Sequence, residues 1–142
     1  MSFIFRVFTY FVAMTNSDIA DHFSLLSKLM EIHGEDSFRA KSYSIAAYHI
    51  ENLPKQASEM DEAELFSMKG IGASTGKKIR ELLETQKMAS LEEMIARTPE
   101  GILDMMKVKG LGPKKIAVLW KEMHIESVGE LEYACHENRL TT

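Results

Sequence analysis

From residue 14 onward, apolar positions recur three and four residues apart, and no alternating apolar and polar run interrupts them. That spacing puts side chains on one face of an α-helix, so the pattern predicts an all-α protein. Thr15 and Asp18 read as a capping box ahead of a stripe of Ile19, Phe23, Leu26, Met30 and His33, which Gly34 stops. A second helix is expected over Ser37–Leu53, with Tyr43, Ala46, Ala47 and Ile50 inward and Pro54 ending it. A short helix around Asp61–Phe66 follows, then one burying Ile79, Leu82 and Leu83. Ser90 with Glu93 caps the next, and Thr98-Pro99 opens a helix with proline at its first position. Pro113 starts a helix that turns Ile116, Leu119 and Trp120 inward. Ser127 with Glu130 caps the last, which carries Val128, Leu131 and Ala134 on one side.

Two breaks in this pattern share a signature. Lys69-Gly70-Ile71-Gly72 and Lys109-Gly110-Leu111-Gly112 lie forty positions apart, each following an apolar residue (Met68, Val108) and opening a lysine-rich helical segment. Glycine admits the positive φ of a tight reversal, and the apolar residue between the glycines can enter the core. Without Cβ atoms at 70, 72, 110 and 112, an anion can reach bare amides at the positive end of the following helix. Nothing in such a turn reads bases, so the predicted partner is a sugar-phosphate backbone. Gly70, Gly72 and Gly76 do not make a dinucleotide fingerprint, because Glu64-Leu65-Phe66 ahead of them reads as helix rather than strand. Two other readings are a helix connection with no ligand and a surface for a protein partner.

The 142 residues are 45% hydrophobic and 27% charged, as in an ordinary globular domain, and the formal net charge is -4. The charge is segregated: five lysines and no acid lie between Lys107 and Lys121, whereas Glu59, Asp61, Glu62 and Glu64 precede the first glycine turn. A basic face is therefore compatible with an acidic total. The single cysteine, Cys135, excludes an internal disulfide and is expected to be a small buried residue. Five scattered histidines make no zinc pattern, and the ten methionines read as core filler. The apolar run Phe3–Val12 is too short to span a bilayer and lacks signal-peptide flanks. Residues 1–13 are thus expected to be a disordered extension ahead of a start at Met14. The expectation is a cytoplasmic monomer without membrane contact.

With these turns, the run Phe38-Arg39-Ala40-Lys41-Ser42-Tyr43 and the helix order in view, the chain from Met14 to Leu140 resembles the amino-terminal region of the bacterial branch of family X DNA polymerases, similar to that of polymerase beta. The resemblance implies two small helical lobes, residues 14–88 and 89–142, each with a helix-hairpin-helix motif. It implies binding of gapped or nicked duplex DNA in repair, including base excision repair, with Arg39, Lys41, Tyr43, Lys69, Gly70, Gly72, Lys77, Lys109, Gly110, Gly112, Lys114 and Lys115 at the DNA. It implies no obligatory cofactor, but a sodium or potassium ion in each hairpin. The main-chain carbonyls would be those of Phe66, Met68 and Ile71, then of Met106, Val108 and Leu111. In some members a lysine, here Lys78, attacks an abasic sugar as a Schiff-base nucleophile and removes the 5′-deoxyribose phosphate by β-elimination, a step that needs the neutral amine. Two further lysine positions of the eukaryotic-type pocket are Phe66 and Ser74 here, leaving that pocket fewer cations. The polymerase carboxylates lie in a palm beyond the matched region, so polymerisation would need a palm in the same or another polypeptide.

Overall fold

The computed structural model describes residues 13–137, and the expectation of disorder for residues 1–13 lies, but for Ala13, outside them. Among the described residues there is no strand, and the chain is all-α as the apolar spacing requires. The helices are α1 (Asn16–His33), α2 (Ser37–Glu51), α3 (Glu62–Ser67), α4 (Ala73–Thr85), α5 (Ala89–Ala96), α6 (Glu100–Met105), α7 (Pro113–Lys121) and α8 (Val128–His136), with a 3-10 turn at Ala57–Glu59. None is long and apolar enough to cross a membrane.

The local signals act as their chemistry dictates. Thr15 Oγ1 accepts from the Asp18 amide and Asp18 Oδ2 from the Thr15 amide, both at 3.1 Å, closing the box at the start of α1. Gly34, at φ +72°, ends that helix; its amide donates to Glu31 O and that of Glu35 to Met30 O, the paired bonds of a left-handed helix stop. Asp61 caps α3 by accepting from the Glu64 amide at 2.8 Å, and Ser127 caps α8 by accepting from Glu130 at 3.1 Å. Each such cap is worth about 1 kcal/mol. Three boundaries differ from the sequence reading. α2 stops at Glu51, α5 starts at Ala89 so that Ser90 falls inside its first turn, and Pro99 is the cap of α6 rather than its first residue.

The chain forms two compact units, and they do not follow chain order. Among the described residues, one contains 13–24 with Tyr43–Met88; the other contains Leu25–Ser42 with 89–137. The buried side chains of the first include Ile19, Phe23, Tyr43, Ile50, Met60, Leu65, Ile71, Ile79 and Leu82. Asn16, buried at the start of α1, ties this unit together across forty residues. Its Nδ2 donates to Lys55 O (2.9 Å), its Oδ1 accepts from the Ala57 amide (2.8 Å), and its own amide donates to Gln56 Oε1 (2.8 Å). Sequence pattern could not reveal this role, because every partner is remote in the chain.

In the second unit, Ile32, Ile102, Met105, Ile116, Leu119, Ile125 and Ala134 form one apolar cluster, with Met106, Leu111, Trp120, Met123 and Leu131 packed against it. Ile32 draws the end of α1 into this unit, and polar contacts hold it there. Thr98 Oγ1 donates to Met94 O at 2.6 Å, so it accepts from His33 Nε2 at 2.8 Å, which fixes the imidazole tautomer. The His33 ring meets Trp120 edge-on at 5.2 Å, and Glu35 pairs with Arg97. Gly101 admits a close crossing: a Cβ there would lie 1.8 Å from Glu126 O. Trp120 is only half-buried; its Nε1 donates to Glu126 Oε1 (3.2 Å) while Lys121 Nζ sits 3.7 Å from its ring centroid. Met94 and Met105 are core residues, as expected of methionine filler. Cys135 is exposed, contrary to expectation, because Ala134 is the inward residue of α8 and the next position lies about 100° round the helix. Val128, expected on the inward side of α8, is also exposed.

Two predictions follow from these contacts. Asn16→Ala leaves a buried donor and acceptor unpaired and should cost about 2 kcal/mol in denaturant unfolding. His33 is held below its ordinary value of 6.5 by burial and by the charges of Arg97 and Lys121, against an opposing Glu35. The unfolded chain therefore takes up this proton first, and the contribution present above 6.5 is lost as pH falls through the lowered folded value. The thermal midpoint should drop between pH 7.5 and 5.5, and His33→Gln should flatten that slope.

Candidate nucleic-acid interface

In the first unit the chain leaves α3 when the Met68 amide bonds back to Leu65 O, and it reverses when the Ile71 amide bonds to Met68 O at 3.1 Å. Gly70 takes φ +87° at the reversal, where a side chain would be strained, and Ile71 drops into the core at 5% exposure. Gly72 is extended (φ −80°, ψ 176°) and is the N-cap of α4, with no side chain to cap it. The first bond of α4 runs from the Gly76 amide to Gly72 O, so the amides of Ala73, Ser74 and Thr75 have no acceptor within the helix. Gly72, Ala73 and Ser74 are exposed. They form an uncapped helix N-terminus facing solvent.

The second unit repeats this conformation. The Leu111 amide bonds to Val108 O at 3.2 Å, Gly110 has φ +85°, and Gly112 is an uncapped N-cap at φ −82°, ψ 171°. Pro113 occupies the first helical position, where its missing N–H costs nothing, and the Ile116 amide closes the first turn on Gly112 O. Only the first glycine of each pair needs a positive φ. The second matters because it brings no side chain, and a Cβ at Gly72, Gly110 or Gly112 would stand in open space.

The sequence-predicted cations fall as follows. Lys69 and Lys77 flank the first turn and are exposed; Lys109, Lys114 and Lys115 flank the second and are exposed, with Lys115 Nζ 3.5 Å from Gly110 O. Arg39 and Lys41 are exposed near the start of α2, in the second unit. Tyr43, farther along α2 and in the first unit, is buried with its ring 6.1 Å from Phe23. It is a core residue whose reachable neighbour is Lys78: Lys78 Nζ lies 5.8 Å from the Tyr43 ring centroid, and Lys78 is half-buried. Phe66 fills space rather than binding an anion, since a Cβ at Gly76 would come within 2.7 Å of its ring. Among the described residues no cluster of histidine, cysteine and carboxylate could hold a metal ion.

Residues 14–88, which include the first turn and both of its helices, match the family model described as Helix-hairpin-helix domain. The chain belongs to the helix-hairpin-helix domain family. Its second glycine turn, outside the matched span, reproduces the helix-hairpin-helix bend to within 2° in φ at the leading glycine. Over 127 residues, 89% of its length, the chain is 32% identical to the DNA polymerase/3'-5' exonuclease PolX of Bacillus subtilis (strain 168). It spans 22% of the length of that relative. This similarity bears out the resemblance to family X polymerases seen in the motifs.

The helix-hairpin-helix turns should respond unequally to alanine. Gly70→Ala meets both the left-handed backbone and the His49 ring, 2.3 Å from the new Cβ, and should cost more than Gly110→Ala, which meets the backbone alone at about 1 kcal/mol. Gly72→Ala and Gly112→Ala should unfold within about 0.5 kcal/mol of the parent in urea.

Proposed function

We propose that this chain binds the sugar-phosphate backbone of duplex DNA, without sequence preference, through its two glycine turns. The observation that carries the reading is the duplicated uncapped N-cap. The exposed residues Gly72, Ala73 and Ser74, and the half-buried Gly112 with the exposed Lys114, present amides at positive helix ends beside Lys69, Lys77, Lys109, Lys114 and Lys115. The similarity to a DNA polymerase points to gapped or nicked duplex as substrate and to repair synthesis as the setting, with the palm in the same or another polypeptide. The chain acts as a monomer in the cytoplasm. A sodium or potassium ion fits each bend through the carbonyls of Phe66, Met68 and Ile71 or of Met106, Val108 and Leu111. These oxygens are hard and neutral, and Met68 O and Val108 O each accept one amide, which leaves a second lone pair. When bound, the ion would neutralise part of the phosphate charge.

A second reading, a Schiff-base lyase, draws support from one difference among the lysines. Lys41, Lys69, Lys77, Lys109, Lys114 and Lys115 are exposed, whereas Lys78 is drawn in beside Tyr43. Its amine would attack the open-chain C1′ aldehyde and lose water to give an imine. Loss of a C2′ proton would then expel the phosphate with the C3′–O electron pair.

Fluorescence anisotropy with nicked, gapped and intact duplexes of scrambled sequence tests the binding reading. Affinity should be indifferent to sequence and fall linearly on a log–log salt plot, and Lys109→Ala should reduce the slope by about 1. Absence of binding at low salt, or binding insensitive to salt, would overturn it. Borohydride reduction with an abasic duplex should trap a covalent adduct that Lys78→Ala abolishes; no adduct leaves a binding module alone.

A further inference from the structure

The two turns share a backbone but differ in what stands over the leading glycine. At Gly110 a Cβ would meet nothing within 4 Å, whereas at Gly70 it would lie 2.3 Å from Cγ, 2.5 Å from Cδ2 and 2.6 Å from Nδ1 of His49. The imidazole thus occupies the place of the side chain that Gly70 lacks. It reaches there from α2, and Tyr48 braces it edge-on with ring centroids 5.7 Å apart. His49 is half-buried, and among the described residues neither of its ring nitrogens takes a hydrogen bond. Nε2 is not among the three atoms nearest that Cβ position. A half-buried polar ring with no hydrogen-bonding protein partner, seated over the exposed Gly70, calls for a ligand that packing alone does not supply.

We infer that His49 is part of the anion-binding surface of the first turn, donating a ring N–H to the same backbone phosphate that the amides after Gly70 receive. The inference rests on the DNA-backbone reading above. A neutral imidazole carries one N–H and one acceptor nitrogen, and with no protein group to fix the tautomer the N–H can form on the nitrogen that faces the phosphate. A hydrogen bond to a charged acceptor is stronger than a neutral one. The first turn accordingly holds its phosphate through main chain, lysines and an imidazole, and the second through main chain and lysines alone. Gly70 is then required twice, for its φ of +87° and for the room it gives this ring.

The test compares His49→Phe, which keeps a ring over Gly70 but has no N–H, with His49→Gln, which keeps a donor but no ring. Anisotropy on a nicked duplex is read at one fixed pH, together with the thermal midpoint of each variant. His49→Phe should bind about tenfold more weakly than the parent at an unchanged midpoint, and His49→Gln should recover most of the loss. Equal binding by parent and His49→Phe would overturn the inference while leaving the DNA reading intact. Equal weakening by both variants, in step with lowered midpoints, would also overturn it, assigning His49 to packing. No binding by the parent at low salt would instead sink the DNA reading on which the inference stands.

Discussion

A phosphate can be held by main-chain nitrogens only where the chain presents several of them without side chains in the way, and in the reading proposed above that requirement governs both turns of this protein. It sets two separate demands on glycine. At Gly70 and Gly110 the demand is conformational, since φ of +87° and +85° would strain any other residue. At Gly72 and Gly112 the backbone is ordinary extended chain, and the demand is for emptiness in front of the helix. A serine or aspartate in either place would be the usual choice of cap and would stabilise the helix by roughly a few tenths of a kcal/mol over glycine. Both helices forgo it, so their N-terminal amides remain available to an external anion.

Holding two such uncapped ends in place requires compensation nearby. In the first unit it comes from Ile71, locked in the core, and from Asn16, whose three hydrogen bonds tie the start of α1 to the loop between α2 and α3. In the second it comes from the cluster around Ile102, Met105, Ile116 and Leu119, into which the end of α1 contributes Ile32. The polar pins His33–Thr98 and Glu35–Arg97 fix that helix end on the far side of Gly34 as well. Surface charge adds little to this stability, because exposed ion pairs such as Arg80–Glu84 are individually worth only a few tenths of a kcal/mol.

The sequence disclosed what is local. Helix periodicity, the Thr15–Asp18 box, the Gly34 stop, the Ser127 cap and both glycine turns all depend on residues within five positions of one another, and each appears where pattern put it. It did not disclose what is made by contact between distant segments. Leu25–Ser42 joins the later part of the chain through Ile32 and His33, although nothing in its own pattern distinguishes it from the rest of α1 and α2. Tyr43 is buried, as its place on the inward stripe of α2 requires, whereas the position of His49 over Gly70 is a contact across twenty-one residues that no local pattern marks. Cys135 shows the limit of composition: free cysteines are commonly buried, but position on α8 decides the case, and Ala134 takes the inward face.

The account stands on the amides after the paired glycines touching nucleic acid directly. The most direct measurement is an amide-resolved NMR titration of the protein with a short nicked duplex, repeated at high salt. The account predicts that the largest shifts fall on Gly70, Gly72, Ala73 and Ser74 and on Gly110, Gly112 and Lys114, and that added salt reverses them together. Shifts concentrated on α8 or α5, with the glycine-turn amides unmoved at saturating DNA, would contradict it.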